Sequence, residues 1–283
     1  MDLLALDIGG TAVKYGCFAK ANKFGQFSVK DTNGTESLPE KILEFIEEHP
    51  ANRIGICSPG PFDFETGTGL MEHKLPSLYG VSLREIIENE FPNVKLFFIH
   101  DSTAFIFGAL ENKPNLREKN VSGVMLGTGL GYIHCVKGKV EVNEGKTPVH
   151  PLWNTPYKNG IAENYVSATA IINKSRENGY SFDNVKDIEI AAKQGDDKLL
   201  SIFYETGTQL GELIEIKRKE DKFEELIIGG QVSKGWELMQ KGFEEVCNIP
   251  YKLVGEPAKC PLFGIKYCAE KGIETIYNDG DRQ

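Results

Sequence analysis

Two aspartates and three glycine-bearing turns are the residues of this chain whose types and spacing could do chemistry. Asp7 and Asp101 each close an apolar run that reads as a strand. The turns, Gly9-Gly10-Thr11, Gly127-Thr128-Gly129 and Gly229-Gly230, follow similar runs. Glycine permits tight turns and close approach to the backbone. Successive amides in such a turn form a concave, partly positive cradle for phosphate. A single Gly-Gly turn is an ordinary hairpin signal; three along one chain point to a nucleotide held by both halves. A carboxylate nearby could accept a hydroxyl proton during phosphoryl transfer, which asks mostly for positioning and charge neutralisation.

Each of these readings has a structural alternative. Asp101 could be a general base or the N-cap of the helix it opens, a role worth about 1 kcal/mol; the two are compatible. Asp7 would be costly to bury unpaired. It could hold Mg²⁺, directly or through water, or cap its own turn. The hydroxyls of Thr11 and Thr128 could donate to phosphate or stabilise their turns. Lys14, three residues past Thr11, could face the same site or solvent. Gly229 and Gly230 lead into a helix whose N-terminal amides suit an anion, or they form a plain strand-to-helix turn.

The elements that must position these residues alternate between strand and helix. Strands are predicted over 2–8, 12–19, 24–29, 53–57, 94–99, 121–126, 132–136, 223–228 and 251–254. Helices are predicted over 36–49, 81–91, 101–111, 162–175, 188–193, 198–218, 232–247 and 263–270, with loops over 62–80 and 143–160. The pattern is α/β. The polar stretch 112–120 reads as a linker, giving a small lobe over 1–112 and a larger one over 113–283. The last helix, about 259–271, is expected to pack back on the first lobe. Each half opens with a strand–glycine turn–strand device, a weak internal repeat of about 120 residues.

The 283 residues suit two domains, and the net charge of −9 disfavours a nucleic-acid partner. No apolar stretch reaches the ~18 residues of a membrane span. No signal peptide is read, and six scattered cysteines without a C-x-x-C pair suggest reduced, buried thiols in a cytoplasmic protein.

The ordered motifs resemble the ROK sugar kinases, within the actin/hexokinase/Hsp70 ATPase group, from Leu3 to about Ala269. Asp7-Ile8-Gly9-Gly10-Thr11 is similar to the family's first phosphate loop, and Leu126–Gly131 to its second. Pro59-Gly60-Pro61 is similar to its sugar-side loop and Asp101-Ser102-Thr103-Ala104 to its catalytic segment. Gly160–Tyr165 matches the segment bearing its sugar-binding Glu, here Glu163, and Ile228-Gly229-Gly230 its adenosine-side turn. The resemblance implies two RNase H-like lobes, each a mixed sheet flanked by helices, with a cleft between them. It implies ATP and Mg²⁺ as cofactors, a hexose as partner, and a homodimer as the usual assembly. Sugar contacts are implied for Gly60, Pro61, His100, Asp101, His150 and Glu163, with transfer to O6 of glucose as the default reaction.

Several departures fall on the sugar side. His100 and Lys74 stand where the family has Asn, and the Glu-x-Gly-His motif is reduced to His150. The zinc cysteines are absent from 148–160, and Ile161 replaces another, so no zinc site is implied. Another hexose, an amino sugar, fructose or a β-glucoside stays open as substrate, as does a sugar sensor with weak turnover. With no helix-turn-helix segment before Leu3, the repressor branch is disfavoured.

Overall fold

The computed structural model describes residues 2–10, 12–29, 38–72, 75–111, 113–273 and 275–277. Two compact units emerge. Unit 1 contains Met1–Pro114, Lys139–Val149 and Ala258–Gln283; unit 2 contains Asn115–Gly138 and His150–Pro257. Relative to a cut at 112/113, residues 113–114 and the segments 139–149 and 258–283 also belong to unit 1, the last of these carrying the helix expected to pack there.

Unit 1 is built on a five-stranded sheet in the order Lys23–Ser28, Ala12–Phe18, Leu3–Ile8, Arg53–Ser58, Lys95–His100. The first three strands form an antiparallel meander and the last two add in parallel. Leu3–Ile8 is buried along its whole length, which explains its unbroken apolar run: a strand covered on both faces has no polar side to present. Helices Leu38–Glu48 and Leu83–Glu90 turn Ile42, Ile46, Leu83 and Ile87 into the core with Leu4, Leu6, Ile54 and Ile56.

The helix Cys260–Lys271 packs on Asp101–Leu110 and on the central strands of this unit. Glycines allow the approach: a Cβ on Gly108 would overlap the Cys260 carbonyl, and one on Gly264 the Ala104 carbonyl. Pro261 lies in the first turn of this helix, where its missing N–H costs nothing.

Unit 2 repeats the plan. Its strands run Tyr251–Leu253, Glu225–Gly229, Asn120–Leu126, Leu130–Val136; the last pair is an antiparallel hairpin and the others pair in parallel. In both units, therefore, the first strand of a glycine-turned hairpin carries parallel strands on its other edge. The 25-residue helix Asp197–Asp221 is capped by Asp196, which accepts from the Lys198 and Leu199 amides, and ends at Lys222 in the left-handed region.

Other differences from the sequence reading are local. The 62–80 loop holds a hairpin, Phe62–Asp63 with Thr68–Gly69, and a 3-10 turn Pro76–Leu78. The expected linker contains one helical turn, Pro114–Arg117, and Asn120 already lies in a strand. The 162–175 helix is broken: a 3-10 turn Ala162–Asn164 precedes Ala168–Glu177, because the Ser167 hydroxyl caps the Ala170 amide at 3.0 Å and starts a new helix. Gln231–Gly235 is likewise 3-10, and the α-helix begins at Trp236. Strand Thr275–Tyr277, parallel to Lys139–Val142, has no counterpart in the sequence reading. None of the six cysteines forms a disulfide, and Cys17 alone is half-buried rather than buried. No helix among the described residues is long and apolar enough to cross a membrane.

Candidate active site

In unit 1 the candidate residues gather at one end of the sheet. Register does this: Asp7 lies beside Cys57, Cys57 beside Ile99 and Ser58 beside His100, so three parallel strands finish together. Ligands of open α/β sheets collect outside the carboxyl ends of such strands.

Asp7 is buried, and its charge is compensated. Lys14 lies directly opposite on the neighbouring strand, with Nζ 2.7 Å from Oδ2. Burial pulls the Lys14 ammonium down, but Asp7 outweighs it and the net shift is upward. The Cys57 thiol donates to Oδ1 at 3.4 Å. Burial and the Asp7 and Asp101 carboxylates push that thiol well up, so it stays protonated and is no nucleophile. Lys14, open between site and solvent in the sequence, is thus turned toward the carboxylate. The chemistry suits a water-mediated Mg²⁺, which uses one or two carboxylates plus substrate phosphates. Among the described residues, Oδ1 of Asp7 is a hard oxygen with only a weak thiol donor. Among the described residues no group of three or more His, Cys, Asp and Glu side chains forms a closed metal site.

The first glycine turn is closed by the Gly9 amide donating to the Ala12 carbonyl at 3.0 Å. A side chain at Gly10 would meet nothing within 4 Å. Packing therefore does not demand glycine at 10, and the backbone there is open to an approaching group. Thr11 and Lys74 lie outside the described residues. Gly60 and Pro61, joined by a cis peptide, leave the end of Arg53–Ser58; a Cβ on Gly60 would sit 3.4 Å from His100 Nε2.

His100, not Asp101, occupies the N-cap position of the helix Asp101–Leu110. Asp101 is its first residue, and its Oδ1 accepts from the Ser102 amide at 2.6 Å and the Ser102 hydroxyl at 3.2 Å and lies 2.9 Å from His100 Nδ1, which also stands 3.2 Å from the Ser102 amide. Burial raises the Asp101 carboxyl, but His100 and Ser102 together outweigh it and hold it below the usual carboxylate range. The group is ionised at neutral pH, as a proton acceptor must be.

In unit 2 the second turn is anchored from behind. The Gly127 amide donates to the Gly129 carbonyl at 3.0 Å, and the Gly127 carbonyl accepts from the Ala168 amide at 2.8 Å. Exposed Thr128 sits at the tip, its carbonyl accepting from Thr169 Oγ1. Glu163 Oε2 accepts from the Leu130 amide at 2.8 Å, and a Cβ on Gly129 would overlap that carboxylate. A cavity of about 420 Å³ lies here, lined by Thr128, Glu163, Asn164, Thr169, Asn173 and Lys174 among others. Gly229 ends its strand. Gly230 has φ +88°, and a Cβ there would overlap the Leu126 carbonyl, so the fold itself requires glycine at 230.

His150 enters a buried network. Its Nδ1 is 3.1 Å from Asp221 Oδ1, Tyr132 donates to Asp221 Oδ2 at 2.6 Å, and Ser122 links Tyr132 to His134. The sequence reading did not single out Asp221, Cys57 or Ser102. Ser102 was findable from its adjacency to Asp101. The other two carry no local signal, since strand register and a 71-residue contact bring them in.

A match to the ROK family model covers residues 3–249. The chain belongs to the ROK family. That span includes every site residue described above. A glucokinase of Thermotoga maritima is 26% identical over 271 residues, 84% of each chain. The ROK family glucokinase of Streptomyces griseus, solved with glucose and AMPPNP, superposes with a TM-score of 0.72 at 17% identity, covering 94% of this chain and 98% of that one. A ROK family transcriptional regulator, a homologue of the E. coli MLC protein, gives 0.75 at 17% identity, covering 95% of this chain and 78% of that one. The fold of this ROK protein is thus the α/β, actin/hexokinase type.

Proposed function

We propose that this ATP-dependent sugar kinase transfers the γ-phosphoryl group to O6 of a hexose, with glucose the first substrate to test. One observation carries the reading: a carboxylate held ionised at the carboxyl end of the Lys95–His100 strand, its Oδ1 bonded by the Ser102 amide and hydroxyl and 2.9 Å from His100 Nδ1, with Oδ2 assigned to the acceptor. The hexose hydroxyl gives its proton to Asp101 Oδ2 as its oxygen bonds to the γ-phosphorus. The bond from that phosphorus to the β–γ bridging oxygen breaks, and ADP leaves with the electron pair.

The backbones of Gly9 and Gly10 and of Gly127, Thr128 and Gly129 are assigned phosphate contacts, and Gly229 and Gly230 the adenosine side. Lys14 adds positive charge near the phosphates. Asp7 would hold Mg²⁺ through water, and the ion would supply neutralisation of phosphate charge. Gly60, Pro61, Glu163 and His150 are assigned to the sugar side on the family resemblance. Excluding water, the competing acceptor, is required of any such site.

The second reading is a sugar sensor without turnover, favoured by the reduced sugar motif and by His150 being tied to Asp221. Coupled ADP detection over a panel of hexoses, amino sugars and β-glucosides separates them. ADP release with one sugar supports the kinase. A thermal shift with a sugar but no ADP from any refutes it.

A further inference from the structure

We propose that His100 is a positioning residue that acts through Asp101, clamping Oδ1 so that Oδ2 is the oxygen presented to the acceptor hydroxyl. The inference rests on the reading of Asp101 as the base and adds the group that aims it.

The terminal torsion of an Asp side chain is broad, so a carboxylate at the first position of a helix needs outside contacts to fix its plane. Two of the three polar groups close to Oδ1 belong to Ser102, the next residue on the same helix. The third, His100 Nδ1 at 2.9 Å, comes from the last residue of the Lys95–His100 strand. It is the contact that refers the carboxylate to the sheet.

The clamp requires the proton on Nδ1. The Ser102 amide is 3.2 Å from Nδ1 and 2.6 Å from Asp101 Oδ1, so the carboxylate holds the amide proton more closely. An unprotonated Nδ1 would face a carboxylate oxygen as a second acceptor at 2.9 Å, which is repulsive; a protonated one donates. The ring is itself held. It packs on Phe64 with centroids 5.6 Å apart, its side chain is only 14% exposed, and Gly60 leaves room beside Nε2.

Two isosteric variants separate this role from the alternatives. In His100→Asn the side-chain amide nitrogen occupies the place of Nδ1; in His100→Gln it reaches the place of Nε2. With the hexose that wild type phosphorylates, His100→Ala is expected to lose about 10- to 100-fold in kcat, the usual scale for a supporting hydrogen bond, with KM for ATP and sugar within about twofold. His100→Asn is expected to recover most of kcat and His100→Gln little of it. Recovery by Gln alone, or a loss confined to sugar KM, would assign His100 to direct sugar contact and overturn the proposal. Unchanged kcat with a lowered melting temperature in all three variants would reduce His100 to a helix cap.

A second measurement needs no turnover. Long-range ¹H–¹⁵N spectra of the wild-type chain should show His100 as the Nδ1–H tautomer. An Nε2–H tautomer overturns the clamp even if the protein is an active kinase. The Nδ1–H tautomer with no ADP from any sugar leaves the clamp standing and removes the kinase.

Discussion

Lys14 and Asp7 are direct cross-strand partners in the first hairpin, and Lys14 Nζ lies 2.7 Å from Asp7 Oδ2. The carboxylate is nearly buried while the ammonium is about one-third exposed, at 8% and 31% of their side-chain surfaces. The pair therefore matters more as compensation for a buried charge than as an attraction in its own right. Lys14→Met should cost about 2–3 kcal/mol, at or below the low end for breaking a buried pair because Lys14 meets solvent. The pH sign follows from the raised Lys14 value. The pair's contribution is complete below the ordinary lysine value of 10.5 and is lost as pH rises through the higher folded value. Urea denaturation at pH 7 and pH 11 checks both points; a variant as stable as its parent at pH 7 would refute the pairing.

Asp101 has the opposite sign. Its folded value lies below 3.8, so the ionised form persists down to that pH. The Asp101 contribution to stability is present above 3.8 and lost as pH falls through the folded value. The acid limb of kcat/KM that belongs to this group should lie below about pH 4. Asp101→Asn should lower kcat by about 10²–10⁴-fold with ATP affinity little changed. Retained turnover in that variant would remove Asp101 as base.

Gly10 and Gly264 should respond to alanine in opposite ways. At Gly10 the new methyl enters open space. The fold should change by less than about 0.5 kcal/mol, while KM for ATP rises several-fold because the methyl stands where phosphate approaches. An unchanged KM would show that the turn does not face the nucleotide.

At Gly264 the methyl would drive into the Ala104 carbonyl. Helix propensity alone favours alanine by about 1 kcal/mol; overpacking at the crossing costs about 1–3 kcal/mol or more and should win. Gly264→Ala should lower the denaturation midpoint. A midpoint that rises would mean the two helices do not meet there.

The sequence by itself determined the parts that short-range physics can specify. The apolar runs ending at Asp7 and Gly229 had to be covered strands, and the run ending at Ile99 a strand. Glycine at 9, 10, 127 and 129 marked the turns, and Asp101 had to lie at the junction of a strand and a helix, within one residue of the cap. Periodicity and turn chemistry act over a few residues, so these features could be read directly.

Only the tertiary structure decided which distant groups meet. The register of parallel strands sets Cys57 against Asp7, and a contact across 71 residues joins His150 to Asp221. Helix Cys260–Lys271 returns to the first unit because Gly108 and Gly264 let two helices touch, and strand Thr275–Tyr277 forms only because Lys139–Val142 offers it an edge. Even the neighbours His100 and Asp101 needed the fold: adjacency brought the side chains near, but the strand end, Phe64 and the helix start together bring Nδ1 to 2.9 Å from Oδ1. Pairings of this kind depend on packing between segments that share no local pattern, which is why no spacing rule could reveal them.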